Sequence, residues 1–246
     1  MTWEVPMDKL RLDKIIADTG LASRREATLL IKSGFVTADG RTALSGDEKY
    51  DPSVSVILLS GKPIGYKKTH YFMMNKPAGC VSATSDKSER TVMELLSDRD
   101  KRLNLFTVGR LDKDTEGLLL LTDDGDWAHR IISPSKNIWK TYAAETDGLL
   151  TPDDVDAFRD GLILRDGFRC LPAFLEIVVA ETRSKALVRV REGKYHQVKR
   201  MLASRGKPVV SLKRLSVGGL ALDGSLIPGA YRELTEDEAA SVFLDK

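Results

Sequence analysis

Gly109-Arg110-Leu111-Asp112-Lys113-Asp114-Thr115-Glu116-Gly117-Leu118-Leu119-Leu120-Leu121-Thr122 runs a polar turn with two aspartates straight into an uninterrupted apolar segment. Four leucines between a glycine and a threonine read as a buried strand. Such a strand is a rigid support, and side chains carried at its end are held more firmly than those of a free loop. The turn also has a plain explanation, because turn aspartates bond to their own backbone. The stretch therefore implies a strand and nominates Asp112 and Asp114 as candidate acids. The rest of the chain must choose between turn and site.

On either side of this stretch, strands are expected at Tyr71–Met74, Thr141–Glu145 and Leu187–Arg191. Helix starts are marked by Thr91 with Glu94 three residues on, by Thr151 with Pro152 at the first helical position, and by Thr235 with Glu238. A further helix is expected from Tyr195 to Ser204, and Asp123-Asp124-Gly125 reads as a turn. Strands and helices do not alternate regularly, which favours an α+β fold with a mixed or mostly antiparallel sheet.

The first sixty residues read as a separate small unit. Leu12–Thr19 has helical spacing and stops at Gly20. Ser23-Arg24-Arg25-Glu26 forms a capping box for a second helix that ends at Gly34. Phe35–Ala38, the turn Asp39-Gly40 and Val54–Leu59 then read as strands. Gly61-Lys62-Pro63-Ile64-Gly65 has the composition of a linker. The expected division is thus residues 1–60, a linker over 61–69, and a larger domain over 70–246.

Composition narrows the function classes. The 246 residues suit one large or two modest domains, and the 42% hydrophobic fraction supports a real core. No apolar run reaches the length of a membrane span, and the first residues lack the pattern of a signal peptide. Two distant cysteines, Cys80 and Cys170, argue against a disulfide framework and for a reducing, cytoplasmic setting. His70, His129 and His196 are scattered, so no metal site is expected. The net charge of +2 hides an asymmetry: Arg183–Arg214 holds eleven Lys or Arg and one acid, Glu192, a balance of +10 that leaves −8 elsewhere. Such a block suits a polyanion, nucleic acid first.

No phosphate-binding loop, dinucleotide fingerprint or nucleophile elbow occurs, so an enzyme built on this chain is expected to use no nucleotide or other cofactor. Asp112 and Asp114 remain the candidate acids, with Lys199 or Arg110 as the cation that keeps one of them ionised. Tyr142 offers a ring for stacking and a hydroxyl for proton transfer, although an aromatic in a strand is more often core. Lys199 follows His196 by three residues and shares its helical face. Arg24, Arg25 and Lys32 could reach phosphates from the second helix, yet residues 1–60 hold eight bases against nine acids.

In this order the segments resemble the bacterial pseudouridine synthases of the RsuA and large-subunit-rRNA type. Arg11-Leu12-Asp13-Lys14, Ser23-Arg24-Arg25-Glu26-Ala27 and Gly34 with Val36-Thr37 resemble the RNA-binding domain named for small-subunit ribosomal protein S-four, with Asp39 where Asn often precedes Gly. Met74-Asn75-Lys76-Pro77-Ala78-Gly79 resembles the first, mainly structural synthase motif. Gly109–Leu120 resembles the catalytic motif, Lys140-Thr141-Tyr142 the tyrosine motif, His196-Gln197-Val198-Lys199 the segment supplying the paired cation, and Leu212-Lys213-Arg214 with Val217-Gly218 the closing strand. Lys199 stands where relatives commonly carry Arg, which changes the pairing geometry but keeps the charge.

The resemblance implies isomerisation of a uridine in ribosomal RNA, without cofactor or metal, after the base leaves its stack. It makes Asp112 the acid acting at the ribose, as nucleophile or as proton acceptor, Tyr142 the stacking residue and Lys199 the partner of Asp112. Arg110 would fill the gap left by the base, and Lys194, His196 and Arg200 would join Arg24, Arg25 and Lys32 in holding RNA. The Tyr195–Met201 segment is closer to the small-subunit (16S) enzymes than to the 23S ones. The expected partner is therefore 16S rRNA, free or within an assembling small subunit, and the expected state is a monomer away from membranes. Two rivals stand beside this reading: a non-catalytic RNA-binding or ribosome-assembly protein, and an acid-pair glycosidase.

Overall fold

The computed structural model describes residues 8–244. Residues up to His70 together with Leu96–Leu105 form one unit; Tyr71–Leu95 and the chain from Phe106 onward form the other.

In the first unit, β1 (Leu10–Arg11) leads into α1 (Leu12–Asp18), and α2 (Arg24–Lys32) follows. The capping box is present: the Glu26 amide donates to Ser23 Oγ at 3.3 Å and the Ser23 amide donates to Glu26 Oε2 at 2.7 Å. Satisfying two orphan amides in this way lets a nine-residue helix start cleanly. Three strands, β2 (Val36–Ala38), β3 (Arg41–Thr42) and β5 (Ile57–Leu59), come next, with β4 (Lys49–Tyr50) paired to β1. Leu12, Ile15, Ile16, Ala27, Ile31 and Val36 make the core of this unit.

Two expectations need correction here. Lys62–Pro63 forms β6 on the edge of β5, and Ile64 and Tyr66 pack on this unit's core, so Gly61–Gly65 is not a free linker. The apolar contact of Ile64 outweighs the flexible glycines beside it. Leu96–Leu105 also belongs to this unit: the Arg99 Nε donates to the Thr19 carbonyl at 3.0 Å, and Arg102 pairs with Glu26 at 2.7 Å.

The second unit is built on one sheet. Its strands are β7 (Tyr71–Lys76), β8 (Phe106–Val108), β9 (Glu116–Thr122), β10 (Lys140–Asp147), β11 (Phe174–Val179), β12 (Arg183–Val190), β13 (Val209–Val217), β14 (Leu220–Ala221) and β15 (Tyr231–Glu233). They pair in the order β11-β12-β10-β13-β9-β7-β15, with β14 on β13 and β8 on β9. Every pair is antiparallel except β13–β9, which is parallel and short: Lys213 faces Glu116 and Arg214 faces Gly117. This is the α+β architecture with a mostly antiparallel sheet that the irregular pattern implied.

The helices cover two cores, one on each side of that parallel joint. Helices α4 (Pro152–Asp160) and α5 (Gln197–Ser204) pack over β10 to β13, burying Phe158, Val188, Met201 and Leu202. Helices α3 (Gly125–Ile132) and α6 (Glu236–Ser241) pack around β7 to β9, burying Met73, Leu118, Leu120 and Trp127. The start at Thr235 carries its full capping box. Helix α3 was not expected. Asp124, read as a turn residue, is its N-cap and accepts from the Trp127 amide at 3.0 Å. The glycine at its first position hides the start, while Trp127, Ala128 and Ile131 supply the apolar face. The converse holds at Thr91: Glu94 accepts from its amide at 2.8 Å, but only a single 3₁₀ turn, Val92–Leu95, follows before Ser97 and Asp98 begin a new turn. Among the described residues no helix is long and apolar enough to cross a membrane.

Gly117 is what permits the parallel joint. Its φ is +100°, and a Cβ there would lie 2.2 Å from the Arg214 carbonyl oxygen and 2.7 Å from the Arg214 nitrogen. Backbone approach this close excludes every side chain. Gly117→Ala should therefore destabilise the protein by about 3 kcal/mol through strain and forced separation of β9 from β13. Chemical denaturation of the two proteins checks this, and an unchanged midpoint would show that the joint tolerates a methyl group.

Candidate active site

The turn ahead of β9 is clamped from below. Lys76, with 0% of its surface exposed, ends β7 and donates to the carbonyls of Pro77, Lys113 and Thr115 at 3.0, 3.3 and 2.9 Å. Three carbonyls focused on one ammonium compensate a charge that burial disfavours, and burial still pushes this lysine below its usual range. The Gly79 amide donates to the Lys113 carbonyl at 2.8 Å. Ser82 Oγ both donates to the Leu111 carbonyl (2.9 Å) and accepts from the Leu111 amide (3.1 Å). The Thr115 amide closes the turn on the Asp112 carbonyl at 3.1 Å. Asp112 is thus held on a braced segment, with its carboxylate 27% exposed.

Two residues of the basic segment meet that carboxylate. Lys199 Nζ lies 3.3 Å from Asp112 Oδ2, and His196 Nε2 lies 3.4 Å from Asp112 Oδ1. The three-residue spacing does bring both side chains to one place. Lys199 also reaches Asp114 Oδ1 at 2.5 Å. One ammonium therefore bridges both turn aspartates, an arrangement the sequence did not reveal. Burial works against the Lys199 charge, but the bonds to Asp114 and Asp112 more than offset it and raise its pKa. The Lys199 hydrogen bond in turn lowers the pKa of Asp114.

His196 is delivered by a backbone device. The expected helix from Tyr195 begins only at Gln197, because His196 sits in the left-handed region (φ 48°, ψ 34°) as the N-cap of α5. That is an uncommon conformation for a non-glycine residue. It is held by Gln197, whose Nε2 donates to Glu192 Oε1 at 2.7 Å while its Oε1 accepts from the Lys194 amide at 3.0 Å. Glu192, the one acid of the basic segment, is buried and also accepts from the Leu171 amide at 2.8 Å. Exposed Tyr195 stacks on the His196 ring at 3.8 Å.

Asp112 opens into a cavity of about 480 Å³ walled by Leu111, Val190, Val198, Leu212 and Val217. Tyr142, from the middle of β10, forms part of its wall, as do Arg110, Lys194 and His196. A largely apolar recess with a few convergent polar groups is the usual form of a small-ligand site, and this volume lies within the usual range. Arg110 is exposed at the cavity and makes no ion pair with Asp112 among the described residues, so of the two cations considered for Asp112 it is Lys199 that lies against it.

The other expected RNA contacts divide. Arg25 and Lys32 lie exposed, seven residues apart on one face of α2, whereas Arg24 is drawn to buried Asp13 at 3.1 Å. Lys194 is exposed, with its ammonium 5.5 Å from the Phe168 ring centre. Arg200 points away from the cavity and pairs with Asp166 at 2.5 Å. A residue next to Lys199 on a helix faces another direction, which adjacency in sequence conceals.

Two cavity cations had been read only as parts of motifs. Lys140 lies two residues before Tyr142, hence on the same face of β10, and among the described residues its Nζ bonds only to the Ile138 carbonyl, at 2.9 Å. Burial, then the Arg214 charge, pushes its pKa down to about 8. Arg214, 4% exposed and on β13, is the register partner of Tyr142 on β10. Its Nε donates to the Leu118 carbonyl at 2.7 Å, and its Nη2 is buried without a partner among the described residues.

A braced carboxylate paired with a lysine, set in an apolar recess beside an aromatic hydroxyl and lined by cations, defines an enzyme site for a nucleotide-sized substrate. The chain matches the family model described as RNA pseudouridylate synthase over residues 70–204 and the S4 domain model over residues 10–54. It is 43% identical over 230 residues to the uncharacterized RNA pseudouridine synthase YtzG of Bacillus subtilis, covering 93% of this chain and 96% of that one. It is 41% identical over 235 residues to ribosomal small subunit pseudouridine synthase A of Escherichia coli, covering 95% of this chain and all of the relative. A crystal structure of a pseudouridylate synthase, 36% identical, superposes with a TM-score of 0.67 over 95% of this chain and 99% of that one. The chain belongs to the RNA pseudouridylate synthase family.

The state of Lys140 has a consequence for stability. An unfolded lysine keeps its proton to about pH 10.4, whereas folded Lys140 gives it up near pH 8. Its cost to the fold is full below pH 8 and fades as pH rises toward 10.4. Lys140→Met should therefore raise the melting temperature at pH 7, with the gain shrinking toward pH 10. Thermal unfolding across that range checks both the sign and the window.

Proposed function

We propose that this chain converts a specific uridine of small-subunit (16S) ribosomal RNA to pseudouridine in the cytoplasm, with Asp112 as the group acting at the ribose. The observation that carries the assignment of Asp112 is its placement: a carboxylate braced through Lys76 and Ser82, paired with Lys199 at 3.3 Å, at the mouth of the cavity. The 16S target rests on the relatives named small-subunit synthases, which match along their whole length.

The uridine enters the cavity after leaving its stack, since its glycosidic bond is out of reach inside folded RNA. Tyr142 stacks on the base and assists removal of the C5 proton. Lys199 pairs with the Asp112 carboxylate at 3.3 Å and sets a positive charge against it. Two routes are open to that anion: addition to C1′, or removal of the C2′ proton. Either way the N1–C1′ bond breaks and its electron pair stays with the uracil. The base then turns and C5 bonds to C1′ as the Asp112–C1′ bond breaks or, on the second route, as Asp112 returns the proton to C2′; the C5 proton is lost and N1 gains one, so the composition of the RNA is unchanged. Arg110, exposed at the rim, occupies the space vacated in the stack, and Lys194 and His196 contact the flanking backbone. Arg25 and Lys32 on α2 hold RNA phosphates at a second place.

Asp112→Asn should abolish pseudouridine formation while leaving RNA affinity within about twofold of the parent; retained turnover in a tritium-release assay would overturn the assignment. Arg25→Gln with Lys32→Gln should weaken binding and lower the dependence of log affinity on log salt by about two, roughly one per phosphate contact removed. Mapping pseudouridines in rRNA from cells with and without the gene tests the target: one 16S position should lose its modification, and a loss confined to 23S rRNA would contradict the proposal.

A further inference from the structure

The cavity carries more positive charge than holding Asp112 requires. Lys199 is neutralised by Asp112 and Asp114. Lys140 and Arg214 are not: neither has a carboxylate partner among the described residues, and each makes a single hydrogen bond to a backbone carbonyl. Both line the same recess as Tyr142, on adjacent strands β10 and β13, and the Arg214 charge is close enough to oppose protonation of Lys140. Two neighbouring cations in an apolar recess repel one another and are poorly solvated, so they destabilise the fold. Such an arrangement is compensated when a ligand brings negative charge or strong acceptors to it.

From this geometry we infer that Lys140 and Arg214 form a cationic wall that donates hydrogen bonds to the uracil carbonyl oxygens and stabilises the negative charge the base acquires when its glycosidic bond breaks. The inference rests on the reading of this cavity as the uridine site. When N1–C1′ breaks, the bonding pair enters the uracil ring and its charge spreads onto O2 and O4. The sugar is compensated separately by Asp112, through a bond to C1′ or by uptake of the C2′ proton. The detached base is therefore an anion held beside Tyr142, the β10 residue two along from Lys140 and opposite Arg214. Charge stabilisation there lowers the cleavage barrier and keeps the free base in place until C5 bonds to C1′. The charge is neutralised when the ring's electron pair forms the C5–C1′ bond, as the Asp112–C1′ bond breaks or Asp112 returns its proton to C2′; the later loss of the C5 proton and gain of one at N1 leave the charge unchanged. Lys140 and Arg214 exchange no proton in this scheme; they act through the field and through N–H donation.

The test compares the parent with Lys140→Met, Lys140→Arg and Arg214→Met. Two target RNAs are used, one carrying uridine and one carrying 5-fluorouridine, whose electron-withdrawing fluorine makes the base a better leaving group. Single-turnover loss of the target nucleoside is read by nuclease digestion and chromatography. RNA affinity and thermal stability are measured alongside. Lys140→Met should slow conversion of uridine by about 10²-fold, with a deficit on 5-fluorouridine about tenfold smaller. RNA affinity should stay within about twofold and thermal stability at pH 7 should rise. Lys140→Arg should recover most of the rate. Arg214→Met should show the same difference between substrates even if its lost bond to Leu118 lowers its stability. Equal deficits on both RNAs, or a loss expressed only as weaker binding, would overturn the inference by making these residues structural or phosphate contacts. Parent-like rates in both Met variants would overturn it outright. Asp112→Asn in the same assay separates the two levels: turnover by that variant removes the site reading itself, whereas its inactivity beside unaffected Met variants removes only the cationic wall.

Discussion

The parallel joint between β9 and β13 is the constraint on which the rest of the catalytic unit depends. It links the half of the sheet built on β7 and β9 with the half built on β10 to β13, and it consists of two register pairs at Glu116–Lys213 and Gly117–Arg214. Each half has its own core. Asp112 belongs to the first half, whereas Tyr142, Lys140, His196 and Lys199 belong to the second. The cavity exists because the joint holds these halves in register, and Arg214 reinforces it by bonding across to the Leu118 carbonyl. The close approach at Gly117 is thus a requirement of the site as much as of the sheet.

Four cations in this unit show four ways of placing charge off the surface. Lys76 is fully buried and repaid by three carbonyls, so it acts as a fastener for the turn. Lys199 is repaid by two carboxylates, those of Asp112 and Asp114. Lys140 and Arg214 are left with one carbonyl each, and in the absence of other compensation that arrangement costs stability. Proteins keep such costs mainly where function requires them.

Local signals carried much of the fold. The starts of α2 and α6 were readable because a capping residue and its acid three positions on form a closed local device, and that of α4 because Thr151 is followed by Pro152 at the first helical position. The strand at Leu118–Thr122 was readable because it is buried on both faces and hence apolar throughout. Where local and tertiary terms compete, the reading failed. Gly125 masks the start of α3, whose stability comes from packing Trp127 and Ile131 rather than from propensity. Lys62–Pro63 looks like a linker but finds an edge on β5, and Leu96–Leu105 returns to the first unit through contacts some eighty residues apart in sequence.

The sequence by itself determined the family and the α+β class and nominated Asp112, Tyr142, Lys199 and Arg110, because each lies in a short motif whose spacing carries its meaning. Only the tertiary structure decided which cation serves Asp112, that Lys199 also takes Asp114, that His196 joins them through a left-handed backbone, and that Arg200 turns away to Asp166. It alone showed that Lys140 and Arg214 face one recess and that neither pairs with a carboxylate among the described residues. The physical reason is distance along the chain. Helical and strand periodicity set which residues share a face, but charge pairing and desolvation depend on which faces meet. Here that is settled by a two-residue joint between strands nearly a hundred positions apart.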